Sequence, residues 1–416
     1  MQTLTSADIR KRLLQLYQQL LEAIRGDRLV AQALKDRPLQ ADKIALLATG
    51  KAAASMAQGA KRALGERLVE ARVITKTDHC GMLEKETGIT CIEAGHPLPD
   101  QRSLEAGQGL VDWLSRFPTD VCLLVLTSGG TSVLVERLPA TTSLEDLVRL
   151  NQWLLGSGLD IQAVNRIRQS VSCIKGGGLL ARAPAGMRLE HLILSDVPDD
   201  DPAVIGSGLF VPGDAMSEQE AARLPDWIQS LQRAAAPCRE WPENTVRLHS
   251  QIIGSNRLAC RQLADLAAET GLEVHLHAEP LAGDAGLQGQ CLAGYLQQQA
   301  AGGLHIWGGE TTVVLPENPG RGGRNQHLAL AAAQQLAGSV DMTLLAAGTD
   351  GSDGPTSDAG ALVDGATVRR GEEQGHDVQR ALQQRDAGSF LEAAGDLIDT
   401  GATGTNVMDI VLAYKA

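Results

Sequence analysis

Aromatic side chains are scarce in this chain of 416 residues, with Phe, Trp and Tyr together making up only 3%. That scarcity excludes a stacking platform for single-stranded nucleic acid, which needs aromatic faces along a basic groove. Charge excludes it a second time. Fifty Asp and Glu against 37 Lys and Arg leave a net −13, the wrong sign for non-specific binding to nucleic acid or to an anionic membrane. An anionic small molecule is still admitted, because a local basic pocket suffices. No apolar run reaches 18 residues, and Met1 to Arg12 holds no signal-type apolar segment, so neither a membrane span nor export is expected. Cys-x-x-Cys pairs are also missing. Seven cysteines scattered from Cys80 to Cys291 predict reduced thiols rather than a disulfide framework, and with them a cytoplasmic protein. The Walker spacing, the G-x-G-x-x-G fingerprint and the Gly-x-Ser-x-Gly elbow are absent. No period of 20–50 residues marks a solenoid or propeller.

What is present is Ala, Leu and Gly, in a length that exceeds what one core usually supports. Leu13, Leu14, Tyr17, Leu20, Leu21 and Ile24 recur at helical spacing. Apolar strand patterns at 44–48, 72–75, 88–93, 121–127 and 189–194 alternate with helical ones, as in a doubly wound sheet. Pro237 and Pro242 interrupt the pattern and place a domain boundary near 240. Beyond it, strands are predicted at 246–253, 272–277, 303–307, 311–315 and 342–347, and helices at 255–270, 285–299 and 327–336.

Several strand ends open into loops suited to chemistry. Thr49-Gly50-Lys51 offers backbone N–H groups and an ammonium at a helix start, or is a plain turn with an exposed lysine. Ser128-Gly129-Gly130-Thr131-Ser132 can cradle a phosphate through successive N–H donors. Asp196, Asp200 and Asp201 crowd one loop, and such carboxylates repel one another unless a cation or basic groups are near. Arg321 and Arg324 sit among glycines before a helix, where guanidinium grips phosphate or carboxylate in two-pronged fashion. Residues 342–360 run from a strand into a loop with Asp350, Asp353 and Asp358, carboxylates suited to Mg²⁺. His275 and His277 alternate on one strand without a third metal ligand.

In order along the chain stand Gly50-Lys51, Gly95-His96-Pro97-x-Pro99-Asp100, Ser128-Gly129-Gly130, Asn165-x-x-Arg168 and Lys175-Gly176-Gly177. Ser195-Asp196-Val197, Gly206-Ser207-Gly208, Gly308-Gly309-Glu310-Thr311, Gly323-Arg324-Asn325-Gln326 and Gly348-Thr349-Asp350-Gly351 follow. This series resembles the class II glycerate kinase family nearly end to end. The resemblance implies a Rossmann-like doubly wound α/β domain over 1–240 and a smaller α/β domain of the MOFRL type over 241–416, with catalysis in the cleft between them. It implies transfer of phosphate from ATP, with Mg²⁺, to the 2-hydroxyl of D-glycerate. Lys51 and Arg324 fall on family positions regarded as essential. Asp196 and Asp350 are candidates for holding the metal or orienting the attacking hydroxyl, two roles that stay open between them. Gly50, Ser128, Gly129, Gly130, Arg168, Lys175, Gly206, Ser207, Gly208, Glu310 and Asn325 are candidates for substrate or nucleotide contact, with Arg168 on the glycerate carboxylate. Two departures stand out: Asp199 where relatives usually carry Gly, and Leu209-Phe210 where they carry Pro-Thr. Oligomeric state is left open, a homodimer being one form. Competing readings are a hydroxypyruvate oxidoreductase, which would need the missing nicotinamide fingerprint, and a non-catalytic ligand-binding module.

Overall fold

Strands buried along their whole length read as continuous apolar runs, because helices cover both sheet faces. Ile44–Thr49 (β1) and Cys122–Thr127 (β4) are such strands. The computed structural model, which describes residues 5–81, 83, 87–239 and 246–416, sets them side by side in a six-stranded sheet. Its order is β3-β2-β1-β4-β5-β6, with β2 Leu68–Lys76, β3 Ile89–Ala94, β5 Arg188–Leu194 and β6 Arg247–Gly254. The pairs β1–β2, β2–β3, β1–β4 and β4–β5 are parallel. One face packs Leu46 and Ala48 under the helices Gly26–Asp36 and Ala53–Leu64; the other packs Leu47 and Val125 under Gln101–Leu114. Leu209 and Phe210, the departure from Pro-Thr, are both buried in that second core, so the change fills the interior.

The second sheet is mixed, in the order β11-β10-β9-β12-β8-β7. Its strands are β7 Glu273–Leu276, β8 Gly303–Gly309, β9 Met342–Gly348, β10 Gly360–Asp364, β11 Leu397–Ile398 and β12 Asp409–Lys415. β12 runs antiparallel between β8 and β9. One face carries the helices Ala285–Gln298 and Arg324–Leu336. Toward the other, the Tyr17 hydroxyl of helix Ser6–Ala23 donates to the Gly348 carbonyl at 2.6 Å. Asn256 of helix Asn256–Glu269 donates to the carbonyls of Val407 and Asp409, each at 2.9 Å.

Four expectations change. The boundary at 240/241 lies outside the described residues, and the compact units are Gly26–Ile253 and Met1–Arg25 with Gly254–Ala416. The amphipathic helix 6–23 therefore belongs with the later residues, held by Arg10 on Asp364 at 2.7 Å and Asp396 at 2.6 Å. Residues 311–315 form no strand: only Thr312 makes a bridge, to Asp284, and Val314 and Leu315 are exposed. The β-branched run there found no neighbouring strand to pair with among the described residues. Finally, four cysteines pair as Cys80–Cys91 and Cys173–Cys238, leaving Cys122, Cys260 and Cys291 free. The odd total concealed an even subset brought together by the fold. No helix is long and apolar enough to cross a membrane among the described residues.

Candidate active site

In the first sheet, β1 and β4 are neighbours while the chain winds outward from them in opposite directions. That is the switch point at whose carboxyl end open α/β sheets bind ligands. The two loops that meet there are those carrying Lys51 and Gly129. The Ser128 N–H donates to the Thr49 carbonyl at 2.9 Å, the Lys51 N–H to the Gly129 carbonyl at 2.8 Å, and the Ala52 N–H to Ser128 Oγ at 3.1 Å. Gly50 has φ +112°, and a Cβ there would lie 2.3 Å from Ser128 Oγ; no other residue allows this approach. A Cβ on Gly130 would lie 3.3 Å from both the His96 ring and Lys51 Cγ, which places imidazole and lysine stem around one glycine. Lys51, His96 and Gly130 are partly exposed, whereas Ser128 is buried.

Gly206-Ser207-Gly208 is strapped onto this loop. All three residues have left-handed backbone, with Ser207 at φ 55°. Ser207 Oγ contacts Ser132 Oγ at 2.8 Å and donates to Asn165 Oδ1 at 2.8 Å. The Gly206 Cα packs on Thr131. These residues are buried, so they position the loop and do not themselves face a ligand. Arg168, one turn after Asn165, is different. Its guanidinium is largely withdrawn from water, and it makes no hydrogen bond among the described residues. Burial lowers its pKa, opposed only by the Glu136 charge.

Lys175 is a correction. It is 2% exposed, its ammonium is paired with the Glu136 carboxylate, and burial holds its pKa below the usual value. Glu136 also accepts from Ser172 Oγ and from the Arg137 N–H. A buried, paired lysine organises its loop and does not reach a phosphate. Asp196 follows β5, beside β4, and is partly exposed. Asp199 is exposed.

In the second sheet, β8, β9 and β12 bring together charges distant in sequence. Arg324 opens its helix and donates to Asp409 through Nε at 2.6 Å and Nη2 at 2.9 Å, while Nη1 meets Glu310 at 2.8 Å. Burial works against the Arg324 charge, but the Asp409 hydrogen bonds and the charges of Asp409, Glu310 and Asp353 outweigh it and raise its pKa. Asp353 supplies the missing cap of that helix, accepting from the N–H groups of Asn325 at 3.1 Å and Gln326 at 2.8 Å. Burial pushes the Asp353 carboxyl up to about 7. Asn325, 1% exposed, also turns its amide to Asp353; it holds the cap and is not placed for substrate contact. Asp350 Oδ1 accepts from the N–H and Oγ of Ser352, both at 3.0 Å. A Cβ on Gly348 would lie 3.4 Å from Asp409 Oδ1 and 3.5 Å from Asp350 Oδ1, so the two carboxylates converge there. Tyr17 lies behind them: burial, then the charges of Asp350, Asp409 and Asp353, raise its pKa. Among the described residues no three His, Cys, Asp or Glu side chains form a metal-holding group.

Comparison with known proteins gives the family. Residues 12–241 match the model of a domain of unknown function, DUF4147, and residues 303–409 that of the MOFRL family. The D-glycerate 2-kinase of Thermotoga maritima is 34% identical, over 97% of this chain and 98% of its own. The chain belongs to the class II glycerate kinase family. A crystal structure of glycerate kinase from Thermotoga maritima superposes with a TM-score of 0.88 at 32% identity, covering 99% of this chain and 100% of that one. An Agrobacterium vitis relative named putative hydroxypyruvate reductase is 32% identical, over 92% of this chain and 89% of its own.

For a family member the prominent residue that sequence reasoning missed is Asp409. It is 85 positions from Arg324, and no local spacing announces the pair. Its only signal was an Asp directly ahead of the apolar run Ile410 to Ala413.

Proposed function

We infer that the protein is a glycerate 2-kinase, which transfers the γ-phosphoryl group of ATP to the 2-hydroxyl of D-glycerate and releases 2-phosphoglycerate and ADP. The likeness to glycerate 2-kinases along nearly the whole chain carries the activity. Lys51 at the β1/β4 switch point carries the residue assignment. Phosphoryl transfer asks for positioning and for charge stabilisation on the transferring group. The 2-hydroxyl oxygen bonds to the γ-phosphorus as the bond to the β,γ-bridging oxygen breaks, and the hydroxyl proton passes to a carboxylate. Lys51 and Arg324 stabilise the equatorial charge, each being required for the same turnover. Asp409 and Glu310 hold the Arg324 fork in place. Arg168, a guanidinium with its hydrogen-bonding capacity unspent, takes the glycerate carboxylate. Asp196 and Asp350 divide the tasks of orienting the hydroxyl and holding Mg²⁺.

The available donors are carboxylate oxygens, the hard ligands that Mg²⁺ selects, and this ion commonly takes only one or two carboxylates beside substrate phosphates. When bound, it neutralises charge on the phosphates. We place the enzyme in the cytoplasm, where ATP is supplied. The oxidoreductase reading draws on the strand order, which is that of dinucleotide-binding folds. It fails at the first loop, where Thr49-Gly50-Lys51-Ala52 stands in place of the fingerprint.

The test is one incubation with D-glycerate, ATP and Mg²⁺, followed by phosphorus NMR. ADP and 2-phosphoglycerate are expected, with turnover lost in EDTA and restored by Mg²⁺. Oxidation of NAD(P)H by hydroxypyruvate with ATP untouched would overturn the reading. Mg²⁺ titrations of Asp196→Asn and Asp350→Asn then assign the metal holder: its variant needs more Mg²⁺ for half-maximal rate, and the other does not.

A further inference from the structure

An aromatic-lined cavity of about 470 Å³ opens at the β7 edge of the second sheet, a volume within the range of small-molecule sites. His277 and Trp307 form one wall, stacked with ring centroids 4.2 Å apart and planes 8° from parallel. Tyr295 stands edge-on to both, at 5.4 and 5.8 Å. Leu281 and Leu292 add apolar surface, and Cys291 is exposed at the cavity. In a chain with three tyrosines and five tryptophans, this gathering does not follow from abundance.

The polar groups at the rim suit a heterocycle edge. Gln288 spends its Nε2 on the Ala282 carbonyl at 2.9 Å, and its Oε1 accepts no hydrogen bond among the described residues. Ala278 and Glu279 leave the β8 ladder between the His277 N–H, bonded to Ile306, and the Leu281 N–H, bonded to Gly308. Their own backbone groups make no hydrogen bond among the described residues. Acceptors and donors thus lie open beside flat apolar walls. No Lys or Arg lines the cavity, so it takes the uncharged end of a ligand. The charged end has a place nearby. Leu281 accepts from the Glu310 N–H at 2.9 Å, and Glu310 is the partner of Arg324. From Trp307 to Glu310 is three strand residues, or roughly 10 Å.

We propose that this cavity binds the purine base of the nucleotide co-substrate, stacked within the Tyr295, His277 and Trp307 walls, with its exocyclic edge on Gln288 Oε1 and the 278–279 backbone. The proposal rests on the kinase reading for its choice of ligand, and its test is separable from that reading. Cys291 is the reporter. Under non-reducing conditions, alkylation of Cys291 by iodoacetamide is followed by mass spectrometry with adenosine, ATP, inorganic tripolyphosphate or D-glycerate present. Adenosine and ATP at ten times their Kd are expected to slow labelling about tenfold, as the free fraction falls; tripolyphosphate and D-glycerate are expected to leave it unchanged. Tyr295→Ala, at an exposed position, is expected to lose the adenosine protection and to raise KM for ATP without raising KM for D-glycerate. No protection by adenosine or ATP overturns the cavity assignment, whether or not the preparation turns over D-glycerate. Protection by adenosine in a protein that makes no ADP keeps the cavity and removes the kinase reading. Protection by tripolyphosphate alone, or an unchanged adenosine effect in Tyr295→Ala, assigns the shielding elsewhere and overturns the proposal.

Discussion

The two compact units hold their loops at the strand ends by different means. In Gly26–Ile253 the loops around Lys51 and Ser128 are fixed by backbone and hydroxyl hydrogen bonds between close-packed glycines, and the buried Lys175–Glu136 pair sits beneath a neighbouring loop. In the unit containing Gly254–Ala416 the loops are fixed by charge: Arg324 on Asp409 and Glu310, and Asp353 on a helix N-terminus. The first arrangement depends on shape and is insensitive to salt. The second depends on titratable groups, Arg324 and Glu310 partly open to water and Asp409 and Asp353 buried, so pH and ionic strength act on it.

Substitutions can break this contrast. The largest effect is expected from Lys175→Met, which strands the Glu136 carboxylate in the interior: about 3–5 kcal/mol of stability lost, typical of halving a buried pair. Denaturant unfolding measures it, and KM values near wild type in the folded fraction would confirm a purely structural lysine. Next come Lys51→Ala and Arg324→Ala, each expected to lower kcat by roughly 10²–10³, the scale for removing one preorganised donor. Coupled assays read this, and a wild-type rate removes that residue from the mechanism. Asp409→Asn should cost about 1.5–3 kcal/mol, the range for hydrogen bonds to charged groups. Its kcat falls less than that of Arg324→Ala, because Glu310 retains one arm of the guanidinium.

The remaining effect concerns pH. Folding raises the Asp353 pKa from 3.8 to about 7. The folded state therefore holds this proton more tightly, and stability falls as pH rises from about 4 to 7, then levels. Asp353→Asn removes that dependence. Its melting temperature relative to wild type should be highest above pH 7 and decline as pH is lowered toward 4.

Local patterns made much of this legible. Strand ends at Thr49, Thr127, Leu194 and Gly348 were marked by apolar runs meeting glycine or aspartate, and the candidate site residues lie on those loops. Non-local pairings were not legible. Periodicity identified the helix 6–23 but not its partners Asp364, Asp396 and Gly348, more than 300 residues later. Lys175 beside three glycines stands as a candidate for substrate or nucleotide contact until Glu136 is found beside it. Cys173 and Cys238 are 65 residues apart, and only the fold brings them together. Asn325 and Ser207 carried the right residue types for ligand contact, yet the Asn325 amide N–H turns to Asp353 and the Ser207 hydroxyl to Asn165 and Ser132.

The placement of helix Ser6–Ala23 has a consequence for synthesis on the ribosome. Its apolar face, with Leu13, Leu16, Tyr17 and Leu20 buried in the finished protein, leaves the exit tunnel well before the strand that receives it has been translated. Domains generally form as units while the chain grows, so the residues from Gly26 to Ile253 can assemble first, with that greasy segment still waiting for a home. Nascent chains halted before β9 should bind a trigger-type chaperone through residues 6–23 and release it once the last strands emerge.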